Sequence, residues 1–287
     1  MSITERLANL PIPVVIITVV ILLALRYLLI KQRHPIAKST AELAESLAVA
    51  MGLVFLIIRP FIIQAFFIPS ESMVPTLLTH DHIMVNKFVY RFKEPKLGDI
   101  MVFKAPPEAT GEDAEKDFIK RVIAVPGDKV RITSGYVRVG PRRLDHDDLR
   151  GLLCDSYDGT VKLTSDRVLV NDEAVPNKSI ATALSCPDAE VEVFPGKVYI
   201  NGKPVAETYT AEDPDEEYPR NDTPRQWVVK DGDDNEVVRI PDGRLLVMGD
   251  NRNDSNDSRF WGLLERERVM GKAMFIFWPL NRIGWIH

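Results

Sequence analysis

The sequence predicts a mainly β protein, an antiparallel-sheet domain anchored by two N-terminal transmembrane helices. Three observations carry this reading. Two long apolar runs lie within the first 60 residues. Beyond them, short segments of alternating apolar and polar residues recur, each bounded by Gly, Pro, Asn or Asp. Helical periodicity is scarce in that second part.

The first run, "IPVVIITVVILLALRYLLI" (Ile12 to Ile30), has 19 residues and one charge, Arg26. A helix of about 20 residues covers roughly 30 Å of hydrocarbon. The run is too long for the core of a cleavable leader, and no small-x-small cleavage pattern follows it. A retained span is therefore expected over 12–30. The second run, Leu47 to Ile58, contains only apolar residues and glycine. Extended at both ends it gives a second span over 43–60, with a re-entrant or interfacial segment as the alternative. The linker between them, 31–42, carries Lys31, Arg33 and Lys38. Only Arg6 precedes the first span, and no Lys or Arg follows Arg59 until Lys87. The positive-inside rule then puts the linker in the cytoplasm and everything after about residue 60 outside. Residues 1–68 read as a membrane anchor and 69–287 as an extracytoplasmic β domain.

Within that domain the strand-length runs are "DIMVFKAP", "FIKRVIAVPGD", "YVRVGPRRL", "RVLVNDEAV", "KVYINGKPV", "RLLVMGD" and "AMFIFWPL". "KVYINGKPV" reads as a hairpin with an Asn-Gly turn. "RVLVNDEAV" resembles it, and "YVRVGPRRL" does so loosely. "TAEDPDEEYPRNDTPRQ" (210–226) is acidic and proline-bearing and reads as a solvated loop.

Composition excludes some functions. The 287 residues are 45% hydrophobic, enough for a core, and the net charge is −5 with no basic block. A nucleic-acid surface is not expected. Cys154 and Cys186 fit neither a zinc-ligand pattern nor a CxxC pair. Outside the cell they can bond to each other, or they can be two unrelated thiols.

Chemistry is suggested by "FFIPSESMVPTL" (66–77), where an apolar run breaks at proline into Ser70 and Ser72. A serine hydroxyl needs a base to act as a nucleophile. The histidines are His34, His80, His82, His146 and His287, and no GxSxG elbow presents a serine to any of them. Lysine is the other base that serves serine. Its ordinary pKa is about 10.4, so it must be desolvated to work near neutrality. In "DFIKRVIAVPGD", strand alternation puts Phe118, Lys120, Val122 and Ala124 on one face. Lys120 thus projects among apolar side chains, or else sits exposed at a sheet edge and blocks edge pairing. In the polar loop "MGDNRNDSNDSRFWG" (248–262), Asp257 and Arg259 can pair, and Ser255 or Ser258 can point inward as a hydrogen-bond partner. A solvated turn is the plainer alternative.

These segments, in this order, resemble bacterial type I signal peptidase, a membrane-bound Ser/Lys endopeptidase family. "PSESMVPTL", "LGDIMVF", "FIKRVIAVPGD" and "GDNRNDSNDSRFWG" carry the likeness, which spans nearly the whole chain. The resemblance implies a signal-peptidase-like catalytic β domain and removal of signal peptides from exported preproteins after small residues at −1 and −3. It implies Ser72 as nucleophile, Lys120 as general base, Ser70 as an oxyanion-hole hydroxyl and Ser255 as the group orienting the lysine amine. Asp257 and Arg259 match the supporting salt bridge. Ile68, Met73, Phe118 and Ile119 match positions lining the pockets for small side chains. No metal and no cofactor is implied. The expected partners are signal peptides of preproteins and membrane lipid, not nucleic acid, and the expected location is the inner (cytoplasmic) membrane. Departures are Glu71, where many members have glycine, and a Cys154–Cys186 spacing wider than in members with a disulfide. Residues 131–235 match least and read as an elaboration. A self-cleaving Ser/Lys protein of related fold and a non-enzymatic membrane-anchored β module are the rival readings.

Overall fold

Proline sets the start of both N-terminal helices. In the computed structural model, which describes residues 11–32, 34–58, 61–111, 116–154, 160–164, 167–210 and 212–287, α1 runs Ile12–Leu29 and α2 Pro35–Gly52. Each has a proline in its first turn, where a fixed φ suits the helix and the missing N–H costs nothing. α2 continues through a wider π-type segment, Leu53–Ile58. Both helices are long and apolar enough to cross a membrane. They pack on each other, with Ala37, Ala41, Ala44 and Ala48 buried along one face of α2 and Val15 buried on α1. Small side chains at that spacing let two backbones approach closely. Arg26 and Glu45 pair across the helices at 2.8 Å.

The expected linker 31–42 is thus largely helix. Hydropathy marks where lipid contact begins, whereas the helix begins where Pro35 and the following alanine-rich, helix-favouring sequence allow it. The expected end of the second span, residues 59–60, lies outside the described residues.

The chain divides into two compact units. One holds the helices together with His82–Lys93 and Gly271–Trp285. Its strands β1 (Ile63–Phe67), β2 (His82–Asn86) and β18 (Val269–Trp278) pair antiparallel in that order, and β19 (Gly284–Trp285) folds back on β18. The run "IQAFF", assigned to the anchor by sequence, is therefore a strand. Gly271 lets β18 lie against β2: a Cβ there would sit 2.5 Å from the Asn86 carbonyl oxygen.

The second unit contains Ile68–Asp81 and Glu94–Met270. β3 (Ile100–Lys104), β4 (Asp117–Ala124), β16 (Arg244–Met248) and β17 (Leu264–Glu265) form one antiparallel sheet in that order. A second sheet has the order β13 (Lys203–Pro204), β12 (Lys197–Ile200), β5 (Lys129–Thr133), β15 (Glu236–Arg239), β14 (Val228–Lys230). Ile123, Val130, Val238, Leu246 and Met248 belong to one core between them. The elaboration adds β6 (Tyr136–Val139), β7 (Arg142–Leu144) and β11 (Val191–Phe194) as one small sheet. β8 (Val161–Leu163), β9 (Val168–Val170) and β10 (Glu173–Val175) make another. Helices α3 (His146–Leu153) and α4 (Asn177–Ala183) join them over a separate core around Leu149, Val161 and Ile180.

All three expected hairpins form: β12–β13, β9–β10 and β6–β7. Asn201 and Gly202, and likewise Asn171 and Asp172, adopt the left-handed backbone that such tight turns require. Two corrections apply. The sequence reading found few helix signals here, yet α3 starts at a capping box formed by Asp145 and Asp148. The segment 210–226 is not simply solvated, because Tyr218 is buried and pairs with Ile132 on β5. Cys154 and Cys186 are free thiols.

Candidate active site

The serine segment is held by its apolar neighbours. Ile68, Met73 and Leu77 are buried, and the chain between them winds through turns closed by Val74 N to Glu71 O and Leu77 N to Met73 O, both 2.9 Å. This presents Ser72 almost inside the protein, 9% exposed, while Ser70 stays exposed. The Ser70 and Ser72 hydroxyl oxygens are 3.4 Å apart.

β4 supplies the lysine. It lies between β3 and β16, with Lys120 opposite Met101 and Arg121 opposite Ile100. Because side chains alternate across a strand, the two adjacent cations go to opposite faces. Lys120 is 4% exposed, its Nζ 5.6 Å from the Phe118 ring centre, as the shared face requires. Lys120 Nζ donates to Ser72 Oγ at 2.7 Å. Burial drives its pKa from 10.5 down to about 8, against the opposing pull of Asp257, Asp250 and Asp254. That shift corresponds to about 3 kcal/mol of destabilisation of the charged form.

The polar loop after β16 closes the site from the other side. Asp257 and Arg259 are fully buried and bidentate, with Nε–Oδ1 at 2.9 Å and Nη2–Oδ2 at 3.0 Å. Burial alone would push Asp257 up, but the Arg259 guanidinium and its hydrogen bonds hold it below the usual carboxylate range. Asp257 also accepts from Gly249 N at 3.1 Å, and Arg259 donates to the Arg252 carbonyl. Ser258 Oγ points inward, accepting from Val247 N at 3.1 Å. Gly249 is the point of convergence: a Cβ there would lie 2.3 Å from both Ser255 Oγ and the Ser72 carbonyl oxygen. Ser255 is thus placed beside the serine segment, but its buried hydroxyl makes no hydrogen bond among the described residues. The lysine amine therefore makes no hydrogen bond to Ser255, the residue expected to orient it.

A cleft of about 540 Å³ opens over these groups, lined by Ser70, Glu71, Ser72, Phe118, Ile119 and Lys120 among others. Phe118 and Ile119 are half-buried and face it. Ile68 and Met73, 2% and 0% exposed, lie outside its lining.

Sequence reasoning missed the pair Arg121–Asp250. Its Nε–Oδ1 and Nη2–Oδ2 distances are both 2.7 Å, with both side chains buried. The signal was available: a second cation beside Lys120 in an otherwise apolar strand needs a buried anion.

The chain belongs to the signal peptidase, peptidase S26 family, whose sequence profile matches residues 40–152 and 166–278. It is therefore a peptidase by family. Among curated relatives, a signal peptidase I from Aquifex aeolicus (strain VF5) is 34% identical, covering 79% of this chain and 80% of its own. A signal peptidase I from Leptolyngbya laminosa is 30% identical, covering 88% and 85%. A probable signal peptidase I-2 from Synechocystis sp. is 29% identical over 88% of this chain and 80% of its own.

Proposed function

We propose that this protein is a membrane-bound serine endopeptidase that removes signal peptides from exported preproteins by acyl transfer to Ser72, with Lys120 as the general base. The observation that carries the reading is the 2.7 Å contact between a buried lysine amine, its pKa lowered to about 8, and a serine hydroxyl at the floor of a cleft. A neutral amine reverses that hydrogen bond, so that Ser72 O–H donates to Nζ.

Lys120 takes the Ser72 proton as Oγ attacks the scissile carbonyl carbon. The oxyanion so formed accepts from the Ser70 hydroxyl and the Ser72 backbone N–H. Collapse expels the amine of the mature chain, which leaves with the proton from the Lys120 ammonium. Water, deprotonated by Lys120, then cleaves the Ser72 ester and frees the signal peptide's carboxyl end. Asp257 and Arg259 hold the loop, and Ser255 receives the lysine amine once Ser72 is acylated. Phe118 and Ile119 shape the shallow pockets for small residues at −1 and −3, with Ile68 and Met73 packed as their support. The positive linker near residue 31 stays in the cytoplasm, which leaves the catalytic unit on the outer face of the inner membrane, where a translocated signal peptide presents its cleavage site.

The test is hydrolysis of a signal-peptide substrate by the full chain in detergent micelles. Wild type cuts after the small residue, and Ser72→Ala and Lys120→Ala both lose the activity. Full activity in Ser72→Ala sinks the reading.

A further inference from the structure

Within the elaboration 131–235, the segment that holds Glu207 and Asp213 reaches back to the catalytic loop. Arg252, in that loop, is almost completely buried, and a buried guanidinium needs an anion placed to match it. Glu207 is that anion: its two carboxylate oxygens accept from Arg252 Nη1 and Nη2 at 2.7 and 2.6 Å. Arg252 in turn donates Nε to the Gly249 carbonyl at 3.0 Å, and its own carbonyl accepts from Arg259. Gly249 is the residue against which Ser255 and the Ser72 carbonyl pack too closely for a Cβ.

Two further ties leave the same segment. Tyr209 donates to Glu207 Oε1 at 3.0 Å, and the Arg121 guanidinium lies 3.9 Å from the Tyr209 ring centre. Arg121 follows Lys120 on β4. Asp213 accepts from Leu163 N at 2.8 Å, from Gly196 N at 2.6 Å, and bonds His146 Nε2 at 3.2 Å, which anchors it to the elaboration. Its carbonyl accepts from Asn253 Nδ2 at 3.1 Å, and Asp215 N donates to Asn253 Oδ1 at 3.0 Å. Asn253 lies two residues before Ser255.

We infer that Glu207 and Asp213 are positioning residues for the peptidase reaction, and that residues 207–210 and 212–215 of the elaboration fix the catalytic loop at Arg252 and Asn253. The inference rests on the reading of Ser72 and Lys120 as the reacting pair. Its physical basis is that catalysis by an amine on a hydroxyl tolerates little displacement: about 1 Å of misplacement can cost 100-fold in rate. Glu207 sets Arg252, Arg252 sets Gly249, and Gly249 sets the spacing of Ser255 and Ser72. A bidentate carboxylate–guanidinium pair fixes orientation as well as distance.

The experiment compares wild type, Glu207→Ala and Glu207→Gln as full chains, with kcat and KM measured on the signal-peptide substrate and folding followed by circular dichroism. Glu207→Ala should lower kcat at least tenfold with KM within twofold. Glu207→Gln, which still offers Arg252 one acceptor oxygen, should recover at least threefold of that loss. A folded Glu207→Ala with kcat within twofold of wild type overturns the inference, as does a loss confined to KM or no recovery in Glu207→Gln. Should Glu207→Ala not fold, Asn253→Ala carries the test: a tenfold lower kcat at unchanged KM supports the brace, and an unchanged kcat overturns it. Inactive wild type would instead sink the dyad itself, whereas active wild type with unimpaired variants sinks only the brace.

Discussion

At the residue scale, the proposed chemistry rests on one amine. Burial lowers the Lys120 pKa to about 8, so kcat/KM should rise with pH through that value and level off above it. A pH profile flat from 6 to 9 would contradict this. The same shift has a sign for stability. The unfolded chain holds the lysine proton up to about pH 10.5 and the folded one only up to about 8. Between those values the unfolded state binds more protons, so this group's contribution to stability rises with pH, and its full cost is present below pH 8. Lys120→Met should therefore raise the melting temperature at pH 7 and lose most of that advantage by pH 10. A second residue prediction concerns Ser70. If its hydroxyl serves the oxyanion, Ser70→Ala should lower kcat by about 10²–10³ and leave the melting temperature unchanged. Gly249→Ala tests the tight approach: the added methyl meets Ser255 and Ser72 at 2.3 Å, so activity should fall sharply, measured on protein shown by circular dichroism to be folded.

At the element scale, β4 and the loop after β16 act together. β4 turns two consecutive cations to opposite faces, Lys120 to the serine and Arg121 to Asp250. A one-residue slip in register would exchange them and take the Arg121 guanidinium away from its buried partner Asp250. The loop is held by a second buried pair, Asp257–Arg259. Removing the carboxylate leaves an uncompensated buried guanidinium, a change that costs about 3–5 kcal/mol. Asp257→Ala should lower stability by that order in denaturant titration, and Asp257→Asn by less, because the amide oxygen still accepts from Arg259.

For the whole molecule, the proposed topology keeps the basic linker in the cytoplasm and the peptidase unit outside. In sealed inner-membrane vesicles of cytoplasm-outside orientation, added protease should spare residues beyond 60 and reach them only after permeabilisation. Cleavage before permeabilisation would reverse the topology. The strand that follows the anchor bears Phe67, which is 44% exposed and packs edge-on against His82 at 5.4 Å. A tryptophan in its place, Phe67→Trp, should be quenched by brominated lipids if this rim meets the headgroups, and unquenched fluorescence would place it in water.

The apolar length of the first helix, the β class of the chain beyond the two helices and the three hairpins were readable from the sequence, because each follows from local rules: apolar length, strand alternation and turn residues. Ser72 and Lys120 were nominated by the resemblance of their motifs, since strand alternation alone left Lys120 either inward or at an exposed edge. The start of α2, the capping of α3 and the burial of Tyr218 were not readable, because helix starts obey capping rather than hydropathy and burial depends on distant partners. The sequence by itself nominated the side chains proposed for the chemistry. Only the tertiary structure decided how they are held: Arg121 on Asp250, Arg252 on Glu207, and Gly249 against Ser255. Those partners lie 45 or more residues apart or are defined by close approach, and no local pattern encodes a contact that exists only after the chain has closed on itself.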